Sequence, residues 1–375
     1  MDSAHLEREI ERFDPAIPMD RAATPPKSWY VEPAMLERER ERVFERHWQY
    51  AGPLDLVRRP GSHFRVDFLG ESWLVVRDQS GTLRAFHNVC RHHAAELVDG
   101  PGCKDELVCP YHGWTYALDG SLKRAPQMGA MKEFAREAFG LLPLPVEVWG
   151  PLVFVHPGRP EWTLAEELAG LDRRLTDFGG MEQLRFVTRR SYPMNCNWKV
   201  FVDNYLDGGY HVPHLHHGLA SQLDVGTYKT ECFGRHSIQT CAPSPSASFQ
   251  GADFRERIGG GAIYAWLYPN FMLNRYGPIL DINWVRPIAH DRCSVEFDYW
   301  FPESLEGDPG KARKFIDASL LASDNVQRED VAISESVQRG LGSRAYDTGR
   351  YAQTEISMHQ FHRLLAGDLR IARGA

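Results

Sequence analysis

The sequence lacks any apolar run of the roughly 18 residues that a membrane-spanning helix requires. Residues 1–13 are rich in charge and contain no apolar core of the kind found in secretion signals. Seven cysteines, an odd number, in a chain of 375 residues favour reduced thiols over a disulfide framework. We therefore expect a cytoplasmic protein that has no membrane partner.

The chain also lacks a Gly-rich dinucleotide fingerprint after a predicted strand, so we expect no nicotinamide site of that kind. Its net charge of −7 is modest and argues against a nucleic-acid partner. Apolar residues make up 43% and charged residues 25% of the chain, as in ordinary globular proteins, which argues against global disorder. A length of 375 residues is sufficient for two domains with separate cores.

Two short motifs alternate cysteine and histidine. Cys90 and His92 form the first pair, and Cys109 and His112 form the second. Two thiolates for one iron and two imidazoles for the other are what a Rieske [2Fe–2S] cluster requires. A structural zinc site is the alternative, but zinc fingers usually pair cysteine with cysteine and histidine with histidine. The alternation therefore predicts a Rieske cluster, and Cys103, which matches neither spacing, is not expected to be a ligand.

A second cluster of metal-ligand residues lies about a hundred residues downstream. His211 and His216 have the spacing expected of an iron pair, with His214 as a rival. Two histidines and one carboxylate with open positions form the site of mononuclear iron(II) oxygenases. Three downstream acids are candidates for the carboxylate, in this order of preference: Asp330, Glu329 and Asp324.

The pattern of predicted helices, strands and turns divides the chain into three segments. Residues 1–47 form an N-terminal arm and helix, residues 48–157 contain short strands separated by Gly and Pro turns, and residues 158–375 mix helices with long strands. Both Cys/His pairs fall in the second segment. In the third segment, helices predicted over 197–207 and 309–339 would carry the second cluster.

Longer stretches around these motifs resemble the oxygenase (alpha) component of Rieske non-haem iron oxygenases. The resemblance covers nearly the whole chain, and the choline monooxygenase branch is the most similar. The stretches that carry it are Cys-Arg-His-His (90–93), Cys-Pro-Tyr-His-Gly-Trp (109–114), Asn-Cys-Asn-Trp-Lys (195–199), Asp-Asn-Tyr-Leu-Asp-Gly-Gly-Tyr-His (203–211), residues 268–278 and residues 335–346.

The resemblance implies an α+β fold, with an N-terminal antiparallel β Rieske domain and a helix-grip catalytic domain made of an antiparallel sheet with helices. It also implies a homotrimer, in which the cluster of one subunit feeds the iron of its neighbour, and a separate flavin- or ferredoxin-type reductase. In many members a bridging carboxylate lies three residues before the first iron histidine. Gly208 occupies that place here, so Asp207 and Asp203 are both candidates for the bridge.

The function implied is hydroxylation of a small substrate with O₂ and electrons from NAD(P)H. A choline-like or betaine-like ammonium compound, undergoing monooxygenation or N-demethylation, would be held by cation–π contacts. Tyr264, Trp266 and Tyr268 alternate along a predicted strand and should face one side, and Tyr205 is a further candidate. One alternative is an oxygenase that hydroxylates or demethylates aromatic acids. A second is a Rieske electron carrier whose other metal site is degenerate.

Overall fold

A computed structural model describes residues 3–176, 180–221, 223–244, 261–304 and 309–370. The chain divides into two compact units, Glu45–Ala165 and a second unit that joins Met1–Phe44 to Glu166–Ala375. The N-terminal segment, which the sequence set apart as an arm, therefore belongs to the same unit as the C-terminal half. Within the described ranges, no helix combines the length and the apolar character needed to cross a membrane.

The unit Glu45–Ala165 is built from antiparallel strands. They form a five-stranded sheet in the order β5-β2-β3-β4-β9, a three-stranded sheet β1-β11-β10 and a three-stranded sheet β6-β7-β8. In chain order the strands are β1 Gln49–Pro53, β2 Ser62–Phe68, β3 Glu71–Arg77, β4 Leu83–His87, β5 Gly102–Cys103, β6 Leu107–Val108, β7 Thr115–Tyr116, β8 Leu122–Arg124, β9 Pro143–Leu144, β10 Val146–Trp149 and β11 Leu152–Val155.

Turn chemistry explains the hairpin between β3 and β4. The Asp78 carboxylate accepts hydrogen bonds from the backbone N–H groups of Ser80 and Thr82, each at 2.9 Å. Gly81 adopts φ +85°, a left-handed conformation that glycine reaches without strain. The antiparallel β character predicted for this part of the chain is confirmed.

The second unit contains one large sheet with helices. Seven antiparallel strands lie in the order β12-β18-β17-β16-β15-β14-β13. These strands are β12 Leu184–Met194, β13 Leu223–Phe233, β14 His236–Pro243, β15 Ala262–Leu267, β16 Phe271–Tyr276, β17 Ile279–Ala289 and β18 Arg292–Pro302. The helices are Ser3–Glu11, Ser28–Val31, Pro33–Arg42, Leu164–Glu167, Leu171–Thr176, Trp198–Tyr205, Val212–Leu215, His217–Ala220, Pro309–Leu341 and Ile356–Leu369. The α+β fold class is confirmed.

The helix Trp198–Tyr205, called the site helix below, is fixed at its start and along its length. Asn197 caps it by accepting a hydrogen bond from the backbone N–H of Lys199 at 3.0 Å. The Lys199 ammonium and the Glu39 carboxylate form an ion pair at 2.5 Å, and both side chains are fully buried. The indole N–H of Trp198 donates to the other oxygen of Glu39 at 2.7 Å. The N-terminal helix Pro33–Arg42 therefore anchors the helix that leads into the second cluster.

Candidate active site and metal centres

The loops that carry the two Cys/His pairs share one backbone pattern. In each loop the cysteine N–H donates to the carbonyl five residues later, and the cysteine carbonyl accepts from the N–H four residues later. The four hydrogen bonds are Cys90 N to Ala95 O at 2.8 Å, Ala94 N to Cys90 O at 3.0 Å, Cys109 N to Trp114 O at 2.7 Å and Gly113 N to Cys109 O at 3.1 Å. Each turn thus presents one thiol and one imidazole.

The donor set fits a Rieske cluster. Cys90 and Cys109 are buried, with 2% and 3% of their surface exposed. The rings of His92 and His112 lie 4.7 Å apart, and His92 stacks on Trp114 at 4.7 Å with an interplanar angle of 8°. The Nδ1 atom of His92 is buried and has no hydrogen-bond partner. Because an unsatisfied buried nitrogen is costly, metal ligation is a good account of this atom.

Cys103 lies apart from these four donors. It is exposed in the short strand Gly102–Cys103, and its thiol is directed to the carbonyl of Pro60 at 3.7 Å. His93 is also exposed, although its ring lies 4.0 Å from that of His92. The placement of Cys103 agrees with the expectation that it is not a cluster ligand.

The second cluster converges on one point. One potential ligand atom from each of His211, His216 and Asp330 lies within 4.8 Å of the others. His216 Nε2 is 3.0 Å from Asp330 Oδ1, and the two histidine rings are 4.9 Å apart. His211 and His216 flank the short helix Val212–Leu215, whereas Asp330 comes from the long helix Pro309–Leu341. His214 is exposed and does not belong to this group.

Each of the two histidines is oriented by a second carboxylate. The Nδ1 atom of His211 lies 2.6 Å from Asp207 Oδ2, and that of His216 lies 2.6 Å from Glu329 Oε2. Both contacts leave the Nε2 atoms available for a metal, an arrangement that fixes the tautomer of metal-binding histidines. Burial alone lowers the pKa of His216, but hydrogen bonds and charge from Asp330 and Glu329 raise this pKa overall.

The three candidate acids have different surroundings. Asp330 is 5% exposed and accepts hydrogen bonds from the side chains of Asn204 at 2.9 Å and Gln327 at 3.2 Å. Glu329 orients His216 from outside the group, with 45% of its side chain exposed. Asp324 pairs with Arg190 and with the hydroxyl of Tyr192. The structure therefore brings only Asp330 of these three into the group.

Two glycines determine where the acid beside His211 can lie. Gly208 and Gly209 adopt φ +73° and +74°, in the left-handed region. A Cβ atom on Gly208 would lie 2.3 Å from the carbonyl oxygen of Thr354. A carboxylate side chain at position 208 is excluded for both reasons, and Asp207 supplies one instead.

The other candidate, Asp203, contacts neither histidine of the group. Its carboxylate accepts a hydrogen bond from the hydroxyl of Tyr30 at 2.7 Å and lies 3.0 Å from Nε2 of His362. The neighbouring Tyr351 hydroxyl lies 2.7 Å from Nδ1 of His362. Asp203 therefore belongs to a separate network, on the last turn of the site helix, whereas Asp207 lies beyond the end of this helix.

Gly208→Ala is expected to destabilise the fold by at least about 1–3 kcal/mol, because a left-handed non-glycine residue is strained and the backbone cannot yield at Thr354. The amount of iron bound beside His211 and His216 should also fall. Gly218→Ala is the matched control, since a Cβ there would meet no atom within 4 Å. Thermal unfolding and iron analysis of both variants provide the measurement. Equal melting temperatures would contradict this account of Gly208.

A cavity of about 150 Å³ adjoins the His211, His216 and Asp330 group. Aromatic rings and polar side chains dominate its wall, and none of the described residues that line it is Lys or Arg. The lining residues are Phe201, Asn204, Tyr205, His211, Val212, His216, Leu219, Leu223, Tyr228, Gln239, Ala262, Tyr264, Asn274, Tyr276, Asp281, Asn283, Phe297, Ser323, Val326, Gln327 and Asp330. We call this space the site cavity.

Two of the four predicted substrate residues do not line the site cavity. Tyr205 and Tyr264 do, but Trp266 and Tyr268 pack in the core against Phe361, with ring centroids 5.6 and 6.3 Å from it. Strand β15 ends at Leu267, before Tyr268, and Phe361 belongs to the C-terminal helix Ile356–Leu369. The structure therefore places Trp266 and Tyr268 outside the lining of the site cavity, unlike the predicted residues Tyr205 and Tyr264.

The structure adds cavity residues that the sequence reasoning missed. Tyr228 comes from β13, and Asp281 and Asn283 come from β17. Asp281-Ile-Asn283 places two polar side chains two residues apart within the otherwise apolar run 279–285, and such residues face one side of a sheet. That break in the apolar pattern was the available signal.

Comparison with known protein families supports both the Cys/His site and the second group of metal-ligand residues. The model of the Rieske [2Fe–2S] domain matches residues 47–135. The model of the catalytic domain of ring-hydroxylating alpha subunits matches residues 181–369, half of the chain. The chain belongs to the ring-hydroxylating alpha subunit family. It is therefore a Rieske non-haem iron oxygenase, an oxidoreductase that carries a Rieske cluster and a mononuclear iron.

Individual relatives of this oxygenase are similar over nearly its full length. It is 45% identical to the chloroplastic choline monooxygenase of Arabidopsis thaliana, over 98% of this chain and 87% of that protein. It is 28% identical to the carnitine monooxygenase oxygenase subunit of Escherichia coli K12, over 94% and 97%. The solved quaternary ammonium Rieske monooxygenase CntA in complex with L-carnitine matches with a TM-score of 0.81 at 27% identity, over 94% and 97%.

Proposed function

We propose that this oxygenase hydroxylates a small quaternary or tertiary ammonium compound in the site cavity. In this proposal His211, His216 and Asp330 hold the mononuclear iron, and Cys90, His92, Cys109 and His112 hold the cluster. One observation carries the proposal. The three potential iron ligands and a set of tyrosine rings line the same small cavity.

The cavity wall suits a cation. Tyr205, Tyr228 and Tyr264 offer aromatic faces, and each good cation–π contact contributes on the order of 0.5–2 kcal/mol. Burial raises the pKa of Tyr205 and Tyr228 well above the usual range, so both remain neutral phenols. A volume of about 150 Å³ admits a compact ligand. The relatives named for choline, carnitine and quaternary ammonium substrates support the same class.

An aromatic acid suits the wall less well. Its carboxylate would require an Arg or Lys partner, and the described lining residues include neither. A naphthalene 1,2-dioxygenase structure matches with a TM-score of 0.81, but at 18% identity this likeness concerns the fold alone. The ammonium class is therefore favoured over the ring-hydroxylating one.

The reaction needs one substrate C–H bond, one O₂, two electrons and two protons, and it yields one hydroxyl group and one water. When bound, the mononuclear iron supplies dioxygen activation and the Rieske cluster supplies single electrons. The chain's own residues orient the metal ligands and enclose the cavity. Asp207 and Glu329 hold the two histidines in one tautomer, Asn204 and Gln327 hold Asp330, and Val212 and Phe297 help to exclude water from the cavity.

The partners follow from the enzyme class. Rieske oxygenases take electrons from separate reductase partners, and here we propose a flavin- or ferredoxin-type reductase. We also propose a homotrimer in which Asp207 couples the cluster of one subunit to the iron of the next; a CntA structure is described with inter-subunit electron transfer. A cytoplasmic location is part of the proposal and is supported by the five cysteines other than the two proposed cluster ligands, none of which forms a disulfide, although the plant relatives are named as chloroplastic.

Oxygen uptake coupled to NADH, with a matched panel of choline, betaines, carnitine and aromatic acids, tests the substrate class. Hydroxylated or demethylated product should form from ammonium compounds and not from the acids. Product from the aromatic acids alone would overturn the proposal. The uptake must be scored by product, because oxygen consumption without product would report only uncoupled reduction.

Tyr116→Phe is expected to lower the reduction potential of the cluster by on the order of 50 mV, equivalent to about 1 kcal/mol for one electron. The Tyr116 hydroxyl lies 3.3 Å from the sulfur of Cys90, and burial raises the pKa of this phenol, so it remains a donor. A hydrogen bond to sulfur stabilises the more negative, reduced cluster. Redox titration measures the shift, with Tyr111→Phe, 64% exposed beside His112, as control. Equal potentials in the two variants would contradict the prediction.

A further inference from the structure

Two glutamines in the wall of the site cavity each have one unpaired amide oxygen. Gln239 lies on β14 with 1% of its surface exposed, and Gln327 lies on the long helix Pro309–Leu341 with 6% exposed. The Oε1 atoms of both residues are buried and have no hydrogen-bond partner within the protein. Buried polar atoms are almost always paired, so a donor from a bound ligand is a good account of these oxygens.

The amide orientation of both residues is fixed by what the nitrogen contacts. Nε2 of Gln239 donates to the backbone carbonyl of Tyr205 at 2.9 Å, and Nε2 of Gln327 donates to Asp330 Oδ2 at 3.2 Å. A carbonyl and a carboxylate only accept hydrogen bonds, so the opposite orientation would place two acceptors against each other. The oxygen is therefore the end that each amide leaves unpaired.

The register of the large sheet places the Gln239 side chain on the cavity face. Gln239 on β14 lies opposite Tyr264 on β15. The same row continues through Asn274 on β16 to Asp281 on β17, and all four residues line the site cavity. Residues directly opposite each other in neighbouring strands point to the same side of a sheet. Gln239 therefore belongs to the row of side chains that forms this part of the wall.

The amide nitrogens of this wall already have acceptors in the protein. All five amide side chains among the described lining residues donate to protein oxygens: Asn204, Gln239, Asn274, Asn283 and Gln327. The unpaired groups are instead the two acceptor oxygens. A ligand that carries a hydroxyl hydrogen finds a partner at such an oxygen, whereas the carboxylate of a betaine would meet another acceptor.

We propose that Gln239 Oε1 accepts the hydroxyl hydrogen of the substrate, so that the enzyme selects ammonium alcohols over ammonium compounds that lack a donor. The choice of ligand rests on the proposed function, because it concerns an ammonium bound in the site cavity. Gln239 is a better candidate than Gln327, which holds the proposed iron ligand Asp330. Tyr264 lies directly opposite Gln239, so an aromatic face for the cation and an acceptor for the hydroxyl are neighbours.

A pair of ligands with equal charge and similar shape isolates the hydroxyl contact. Choline and propyltrimethylammonium differ only in that a methyl group replaces the hydroxyl, and each is titrated calorimetrically into oxygen-free holoenzyme. The native enzyme should bind choline at least about tenfold more tightly, because the analogue leaves the buried oxygen unpaired. Gln239→Met removes the acceptor and should bring the two affinities within about threefold of each other, chiefly by weakening choline binding.

Two further variants serve as controls. Gln360→Met removes an amide with similar contacts, since its Nε2 atom donates to the carbonyl of Gly234 at 2.9 Å and its Oε1 atom is unpaired. Gln360 belongs to the C-terminal helix and does not line the site cavity, so the preference for choline should be unchanged. Gln239→Glu keeps an acceptor oxygen at position 239 and should keep most of the preference.

The outcomes separate this inference from the proposed function. Equal affinities for the two ligands in the native enzyme, or a preference that survives in Gln239→Met, would overturn the role of Gln239 and leave the ammonium class standing. Loss of the preference in Gln360→Met would do the same. If Gln239→Met fails to fold, Gln239→Glu decides, because loss of the preference there would also overturn the role. Binding and turnover of aromatic acids alone would overturn the proposed function itself.

Discussion

His211→Ala is expected to abolish product formation while the Rieske spectrum stays intact. His211 offers a nitrogen to the group that it forms with His216 and Asp330. The four Rieske donors lie in the other compact unit. Removing one of two imidazoles leaves the mononuclear iron with too few protein ligands to be retained. Iron analysis should therefore show the loss of the mononuclear iron, and electron paramagnetic resonance of the reduced protein should show the native cluster signal.

The matched control for this variant is His214→Ala. His214 lies between the two proposed ligands in the sequence, and it is exposed and outside the group. It should keep its iron and its turnover. Normal product formation in His211→Ala, or loss of iron in His214→Ala, would show that the metal ligands have been assigned to the wrong histidines.

Asp207→Asn is expected to lower turnover by up to about 100-fold while both metal centres stay bound, the upper end of what loss of a ligand-orienting partner causes. The Asp207 carboxylate lies 2.6 Å from Nδ1 of His211 and accepts the backbone N–H of the same residue at 2.9 Å. Asparagine keeps the size and one acceptor but removes the negative charge that strengthens the imidazole as a ligand. Product rate, metal content and the rate of cluster reoxidation should be measured together.

Asp203→Asn is the natural comparison, because this acid lies four residues earlier and hydrogen bonds with Tyr30 and His362 instead. We expect a much smaller effect on reoxidation of the cluster. A large effect in Asp203→Asn and a small one in Asp207→Asn would move the coupling to Asp203. Near-normal rates in both variants would rule out either acid as the relay.

The features that could be predicted from the sequence were those set by local spacing. The alternation of cysteine and histidine at 90–112 predicted a compact cluster, and the structure has two equivalent turns there. The histidine pair was recognisable for the same reason. The carboxylate could be narrowed only to three acids, with Asp330 preferred, because it lies 114 residues beyond His216 and spacing does not fix it. Neighbouring residues on a helix point about 100° apart, so only the packing of the long helix distinguishes Asp330 from Glu329.

Two other features depend on tertiary contacts. The place of the acid beside His211 follows from the approach of Thr354 to Gly208, which nothing in the local pattern reveals. The aromatic alternation on β15 correctly predicted that Tyr264 and Trp266 share a face. It could not predict that the cavity ends after Tyr264 and that Trp266 packs against Phe361.

A single-turnover reaction tests the central claim most directly, since it needs no reductase. Fully reduced holoenzyme, with one electron on each cluster and one on each mononuclear iron, is mixed with O₂ and either choline or an aromatic acid. We predict hydroxylated product from choline in an amount comparable to that of the enzyme, and none from the acid. Product from the aromatic acid alone, or no product from choline in fully metallated enzyme, would contradict the account.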